Sequence, residues 1–306
     1  MEEVLKLDTP PPEMLIENVL PRQGATLLYG LQKSGKSLFA AQTAVSVATG
    51  KALFDYYRVL QPGGVLVLQQ DDPGGIGSFK QIMLAAKVTP DTPIIFVPKD
   101  KWFFLGPDMM AWLEEQITEE NLKLVVLDSY TALRSNHPPG VDIVKHENSE
   151  MTQLDELGKR LHCLILLLHH DSKGSSSLDW SSKAGGSYAI TMATESQIYI
   201  ARYPDLPNER LVRLMGRSLD SLEMTLRFQK ETLNYEWVLE GAGALHYAFI
   251  RDIQTEFKGQ PFTAKNLYLN LGLARATAYR WLLILLRAGA VYKTGDDQYR
   301  LADGIH

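Results

Sequence analysis

A glycine-containing segment near residue 30 has the residue types and spacing that point most directly to chemistry. It reads Gly30-Leu-Gln-Lys-Ser-Gly-Lys-Ser37 and matches the pattern G-x-x-x-x-G-K-[S/T]. Glycines let backbone N–H groups approach phosphate oxygens, a lysine neutralises the outer phosphates, and a hydroxyl binds Mg2+. Lys36 and Ser37 hold those last two positions. The segment therefore predicts a site for ATP and Mg2+, formed by Gly30, Lys33, Ser34, Gly35, Lys36, Ser37 and Leu38.

The flanking segments place this motif in the context that phosphate binding requires. The preceding residues, ATLLYG, predict a short apolar strand, and the following LFAAQTAVSVATG predicts a helix that ends at a glycine. The N-terminus of that helix favours anions, because its backbone N–H groups and its dipole point toward the loop. A glycine turn with an incidental lysine is the alternative interpretation, and it leaves this context unexplained.

Carboxylates follow two apolar segments that are expected to be buried strands. Asp128 closes LVVLD, and Asp71 and Asp72 follow VLVLQ and Gln70. The carboxyl ends of parallel strands form the edge at which ligands bind, so Asp128 is expected to reach the Mg2+ ion. Asp71 is the candidate group that orients or deprotonates the attacking water, with Asp72 as its alternative. Capping of the following turn is the alternative role for this pair.

Two histidines, His169 and His170, end the apolar segment CLILLL. At the same sheet edge, one of them is expected to contact the γ-phosphate. Adjacent residues of a strand point to opposite faces, and no third ligand lies nearby in the sequence, so a zinc site is not expected. A polar strand end without a specific role is the alternative.

The order of predicted elements indicates the fold class. Strands and helices alternate as far as the segment that contains Cys163, which predicts a mainly parallel α/β sheet covered by helices. From Gln197 to Glu240 short strands separated by turn residues follow, and these are expected to be antiparallel pieces at the sheet edge. Gly241, Ala242 and Gly243 are the predicted linker, so we expect one domain over residues 1–240 and a smaller one over residues 244–306.

Composition excludes several classes of protein. The chain has 306 residues, 45% of them hydrophobic, and a net charge of −5, which argues against coating nucleic acid by bulk charge. The single cysteine cannot form an intrachain disulfide, so a reducing cytoplasm is expected. No apolar run reaches the length of a membrane span, and no secretion signal is recognised. From Gly241 onward the balance is basic, with eight Lys and Arg against five Asp and Glu.

Taken in order, these motifs resemble a known family. The P-loop at Gly30–Ser37, Asp71, LVVLD128, the histidine pair and MGR217 look like the RecA-like ATPases of the DnaB, KaiC and RadA group, and most like the RepA-type hexameric helicases of plasmids and phages. The resemblance spans roughly residues 15–239. It implies that Asp71 activates water, at a position where the family usually has glutamate, and that His170 senses the γ-phosphate.

The same resemblance implies a contact across a subunit boundary. The family often supplies a lysine and an arginine in a K-x-R pattern, which aligns here with Met215-Gly216-Arg217. Arg217 matches the pattern and Met215 does not. Arg217 is therefore the candidate arginine finger, and a surface-strand arginine is the alternative.

Two segments match the positions of the family's DNA-facing loops, namely 136–148 and 171–186. The second is rich in Ser and Gly and carries Lys173 and Lys183, so it is expected to follow a phosphate backbone through N–H groups and two cations. A surface loop without a ligand is the alternative.

The C-terminal segment looks like a winged helix-turn-helix. Its recognition helix is expected to begin near Ala274 and to expose Arg275, Thr277, Tyr279 and Arg280, while Trp281, Leu282, Leu285 and Leu286 pack inward. A small, polar and basic outer face suits the major groove of duplex DNA, so Arg275, Thr277 and Arg280 are the candidate DNA contacts. Winged helices also serve as protein docking domains, which is the alternative role.

Two functional hypotheses follow. In the first, the chain is an ATP-driven motor on single-stranded DNA that assembles as a homo-oligomeric ring, expected to be a hexamer, and is recruited by its tail to duplex DNA or to a replication partner protein. In the second, it is a DNA-binding regulator or loader that ATP switches between oligomeric states and that unwinds nothing. Aspartate at position 71 and methionine at position 215 lend weight to the second.

Overall fold

The structure of the chain is a computed structural model that describes residues 12–71, 75–97, 104–134, 140–170, 188–203, 206–217 and 219–302. The strands within these ranges are β1 (Met14–Ile16), β2 (Leu20–Pro21), β3 (Gly24–Gly30), β4 (Gly64–Gln69), β5 (Ile94–Val97), β6 (Leu122–Asp128), β7 (Leu164–His170), β8 (Ser196–Arg202), β9 (Glu209–Gly216), β10 (Leu222–Gln229), β11 (Asn234–Glu240), β12 (Val291–Gly295) and β13 (Gln298–Leu301).

The helices alternate with these strands in the first two thirds of the chain. They are α1 (Lys36–Thr49), α2 (Gly75–Ala85), α3 (Pro107–Glu119), α4 (Tyr130–Leu133), α5 (Ile143–Arg160), α6 (Tyr188–Ala193), α7 (Tyr247–Phe257), α8 (Ala264–Asn270) and α9 (Arg275–Arg287). In the described ranges no helix combines the length and the apolar character that crossing a membrane requires.

One large sheet organises the chain. Its described strands lie in the order β11-β10-β9-β8-β3-β7-β6-β4-β5. The strands from β8 to β5 in this order run parallel to one another, and the register places Gly30 beside His170 and Gln69 beside Asp128. The predicted mainly parallel α/β class is therefore confirmed, and the carboxyl ends of β3, β4, β6 and β7 meet at one edge.

Alternation of apolar side chains along the central strands produces a core on each face of the sheet. Helix α1 covers one face, and helices α3 and α5 cover the other. Leu28, Val67, Val126 and Leu166 pack on the α1 side, and Leu27, Leu66, Val125 and Leu167 pack on the opposite side. Because both faces are buried, the strands read as continuous apolar runs in the sequence.

The strands from Ser196 onward differ in one respect from the expectation. Strands β9, β10 and β11 are antiparallel to their neighbours, as predicted, but β8 pairs parallel with β3 along Thr26–Tyr29 and Ser196–Tyr199. The prediction that the whole segment is antiparallel was wrong for β8. The chain reaches β8 from β7 through a connection that includes α6, so it re-enters the sheet in the same direction.

The C-terminal residues have a hydrophobic core of their own, formed by α7, α8, α9 and the β12–β13 hairpin. Leu282 and Leu285 of α9 are buried and Trp281 and Leu286 are half-buried in it. Helix α8 begins with a capping box between Thr263 and Asn266. The residues predicted as a linker form part of a 3-10 helix, Gly241–His246, that leads directly into α7.

Candidate nucleotide site

The phosphate-binding loop lies where β3 ends and α1 begins. The Lys36 Nζ atom donates to the carbonyl oxygens of Gly30 and Leu31, at 2.9 and 3.1 Å, so the buried ammonium lies across the loop. Carbonyl acceptors of this kind are readily exchanged for phosphate oxygens, which bind a charged donor more strongly. Ser34 is buried and Lys33 is exposed, while Leu38 is half-buried in the first turn of α1. The predicted phosphate-binding loop therefore holds a buried cation beside the N-terminus of α1.

Two oxygen donors meet beside this cradle. The Ser37 hydroxyl donates to Asp128 Oδ2 at 3.0 Å, and both residues line a cavity of about 150 Å³ that also reaches Asp71. Asp128 is buried, and this burial raises the pKa of its carboxyl to about 6, although the hydrogen bond from Ser37 lowers it. A hydroxyl and a buried carboxylate form an oxygen donor set that fits Mg2+, whose charge would favour ionised Asp128.

Burial of Asp128 leads to a prediction for stability. A carboxyl whose pKa is higher in the folded than in the unfolded chain costs stability once it ionises, so the cost grows from about pH 4 to about pH 6 and is complete above that. Without Mg2+ and nucleotide, Asp128→Asn is therefore expected to raise the free energy of unfolding by about 1–3 kcal/mol near neutral pH. Urea denaturation measures this effect, which should shrink toward pH 4. A variant less stable than wild type near neutral pH would contradict it.

A second pair of side chains stands at the same edge. The His170 Nε2 atom lies 2.9 Å from Asp71 Oδ2, and both side chains are about one third exposed. The backbone N–H of Asp71 donates to the Asp128 carbonyl at 3.2 Å, which ties the residue to the end of β6. The candidate for water activation and the candidate γ-phosphate contact are therefore hydrogen-bonded partners. His169, by contrast, is buried, with its ring 5.6 Å from that of Tyr130.

Arg217 lies far from its own phosphate-binding loop. Its N–H donates to the Glu195 carbonyl, and the N–H of Glu195 donates to the Ala25 carbonyl, so Arg217 stands beside the start of β3. The loop begins at Gly30, five residues further along β3, which corresponds to about 16 Å along the strand. An arginine side chain does not reach across that distance, so exposed Arg217 cannot contact a phosphate held in its own loop.

Two side chains that sequence reasoning missed do contact the loop. The Arg210 Nε atom donates to the Ser34 carbonyl at 2.8 Å, and the Tyr235 hydroxyl fills the space beside Gly35. Both residues lie on antiparallel strands about 200 residues beyond the motif. The residue types alone, an arginine and a tyrosine in ordinary strand patterns, carried no signal that would have identified them.

The candidate DNA contacts are only partly described. Asp72, Lys173, Lys183 and the segment 171–186 lie outside the described residues. In the other candidate segment, the loop interpretation was wrong for residues 143–148, because α5 begins at Ile143 with its N-terminus capped by the Asp142 side chain. On α9, Arg275 and Arg280 are exposed and Thr277 is half-buried. The Arg275 guanidinium lies 5.6 Å from the centre of the Tyr279 ring.

A nucleotide cradle at the carboxyl edge of a mainly parallel sheet, with an Asp–His pair beside it, defines the class of this protein as a P-loop ATPase with a RecA-like core. Comparison with protein families agrees with this. The chain belongs to the family whose model is described as AAA domain (AAA_25), which matches residues 2–176, more than half of its length.

Solved structures share the fold at low sequence identity. One of them, described as an ATPase domain, superposes with a TM-score of 0.58 and 11% identity, and the match covers 77% of this chain and 94% of that one. The RadB recombinase gives a TM-score of 0.50 and 15% identity, covering 71% of this chain and 92% of that one. Among curated proteins, none shows a significant sequence match. The resemblance to RecA-like ATPases is therefore confirmed at the level of the fold.

Proposed function

We propose that this protein is an ATP-hydrolysing motor that acts on DNA, in the manner of a RepA-like replicative helicase of a plasmid or phage. The observation that carries the proposal is the assembly of Lys36, Ser37 and Asp128 around one cradle, with the Asp71–His170 pair beside it. Such a site has a cation for the phosphates, oxygen ligands for a metal, and a carboxylate that can accept a proton from water.

Each residue has a defined part in this proposal. Lys36 and the loop N–H groups bind the triphosphate, and Ser37 and Asp128 hold Mg2+, which when bound neutralises charge on the phosphates. Asp71 orients water and takes its proton. His170 holds the Asp71 carboxylate through the 2.9 Å contact. In this proposal His170 also senses the γ-phosphate.

The position of Arg217 supports an oligomeric motor. Because this exposed arginine lies about 16 Å along the strand from its own loop, any role at a phosphate must be at the site of a neighbouring subunit. We propose a cytoplasmic ring, expected to be a hexamer, in which single-stranded DNA passes through the centre and contacts Lys173 and Lys183. The name of one structure with the same fold, a recombinase, agrees with action on DNA.

The C-terminal region is proposed to be a winged helix-turn-helix domain over residues 244–306. Three helices followed by a hairpin, around their own core, are the arrangement that this interpretation needs. In this proposal α9 lies against duplex DNA with exposed Arg275 and Arg280 and half-buried Thr277. Docking to a replication partner protein is the alternative use of the same domain.

A second candidate function is an ATP-switched DNA-binding regulator or loader. Two residues favour it. Asp71 is one methylene shorter than the glutamate usual in the family, which lengthens the path to the attacking water, and Met215 stands where a lysine is usual. In this alternative, nucleotide binding changes the oligomeric state and no DNA is unwound.

Strand displacement distinguishes these functions. A motor is expected to separate a forked DNA duplex in the presence of Mg·ATP, and Lys36→Ala, which lacks the phosphate-binding cation, is expected to separate none. Native mass measured with and without ATP adds a second test, since a six-membered ring favours the motor and a dimer favours the switch. Duplex binding without strand separation by the wild-type protein would overturn the motor proposal.

A further inference from the structure

Arg210, at the start of β9, is a buried cation placed against the outside of the phosphate-binding loop. Its Nε atom donates to the Ser34 carbonyl at 2.8 Å, and its Nη1 atom donates to the carbonyls of Pro207 and Glu209 at 2.7 and 2.8 Å. These three hydrogen bonds thus go to backbone carbonyls. Two of them fix the guanidinium to residues at and just before the start of its own strand, and the third restrains the loop.

Tyr235, on β11, packs beside both Arg210 and Gly35. Its ring lies 6.0 Å from the Arg210 guanidinium, and its hydroxyl occupies the space that a side chain at position 35 would need. Gln42 of α1 holds the Tyr235 backbone through two hydrogen bonds of 2.8 Å, one to the carbonyl and one from the N–H. The Tyr235 backbone is therefore tied to the helix that follows the loop.

These contacts act on one peptide group, the one that joins Ser34 to Gly35. In a trans peptide the N–H and the C=O point in opposite directions. With the Ser34 carbonyl held by Arg210, the Gly35 N–H must point away from Arg210. Gly35 itself has φ of 105°, a conformation that glycine adopts readily and that other residues avoid.

We propose that Arg210 is a positioning residue for nucleotide binding, which holds the Gly35 N–H in the direction of the bound phosphates. This inference rests on the proposed nucleotide site and adds to it a restraint supplied by the antiparallel strands. The buried guanidinium also polarises the peptide, because a charged donor on the carbonyl increases the partial charge on the N–H. Without this restraint, the Gly35 N–H would have to be oriented each time a nucleotide binds, and this would weaken binding.

Affinity for a non-hydrolysable ATP analogue with Mg2+ tests the inference. Arg210→Met keeps an unbranched side chain but removes the donors, and we expect the Kd to rise about tenfold to a hundredfold. Arg213→Met is the matched control, because Arg213 lies on the same strand and pairs with Glu223 at 3.0 Å. Its Kd is expected to equal that of wild type, and affinity is measured for both variants at a temperature at which each is folded.

Arg210→Lys provides a second variant that retains the charge. An ammonium cannot reproduce the fixed fork of a guanidinium, so its Kd is expected to lie between those of wild type and Arg210→Met. Wild-type affinity in Arg210→Met would overturn the inference, and if that variant does not fold, wild-type affinity in Arg210→Lys would do so. If the wild-type protein itself binds no ATP analogue, the failure lies with the proposed nucleotide site.

Discussion

Replacing Arg217 with alanine is expected to reduce ATP turnover by the assembled protein about 10³-fold or more, while the Kd for Mg·ATP stays close to the wild-type value. The physical reason is that an arginine finger contacts charge that develops on the transferred phosphoryl group, and it contributes little to binding the ground state. Arg217 is exposed and lies beside the start of β3, so it cannot serve its own site. Steady-state turnover and equilibrium nucleotide binding measure the two effects separately.

Oligomers that mix two inactive variants test whether Arg217 acts at the site of a neighbouring subunit. Lys36→Ala subunits lack the phosphate-binding lysine but retain Arg217, and Arg217→Ala subunits have the converse defect. Each variant alone is expected to be inactive, whereas a mixture should regain part of the turnover, because some boundaries then combine an intact loop with an intact arginine. Arg58→Ala, which removes an exposed arginine paired with Glu17, serves as the control and should leave turnover unchanged. A mixture as inactive as its components would rule out a role across the boundary.

Replacing Asp71 with asparagine is expected to reduce the rate of hydrolysis about 10²–10⁴-fold with Mg·ATP binding retained. A positioned general base contributes a factor of this size, and an amide of the same shape cannot accept a proton. The 2.9 Å contact with His170 can persist, since asparagine also offers an oxygen acceptor, so the variant tests proton transfer and leaves the local arrangement intact. Single-turnover hydrolysis measures the chemical step directly.

The control for Asp71→Asn is Asp55→Asn, which replaces an exposed aspartate in a turn and should hydrolyse ATP at the wild-type rate. Asp71→Glu installs the side chain usual in the family and is expected to preserve hydrolysis. If Asp71→Asn turned over ATP normally, Asp72 or a group from another subunit would have to activate the water, and the interpretation of the Asp71–His170 pair would need revision.

Much of the fold follows from local patterns. Two kinds of short-range feature can be identified directly from the spacing of apolar residues and from turn residues. These are the apolar runs of β3, β4, β6 and β7 and the glycine motif between β3 and α1. The rule that parallel strands present their carboxyl ends at one edge then brought Asp128 and Asp71 to the motif. The nucleotide cradle could thus be placed from residues 25–128 with no knowledge of the strand order.

Which distant residues come together around the phosphate-binding loop depended on contacts that no local pattern encodes. Strand order and direction place His170 against Asp71. They also place Arg217 at the end of the sheet opposite to its own loop. In the same way they bring Arg210 and Tyr235 into contact with residues 34 and 35. The parallel direction of β8 was missed for the same reason. Such contacts join residues separated by about 100 to 200 positions, and they form only when the whole sheet assembles, because hydrogen bonds between strands are set by neighbours in space and are independent of separation along the chain.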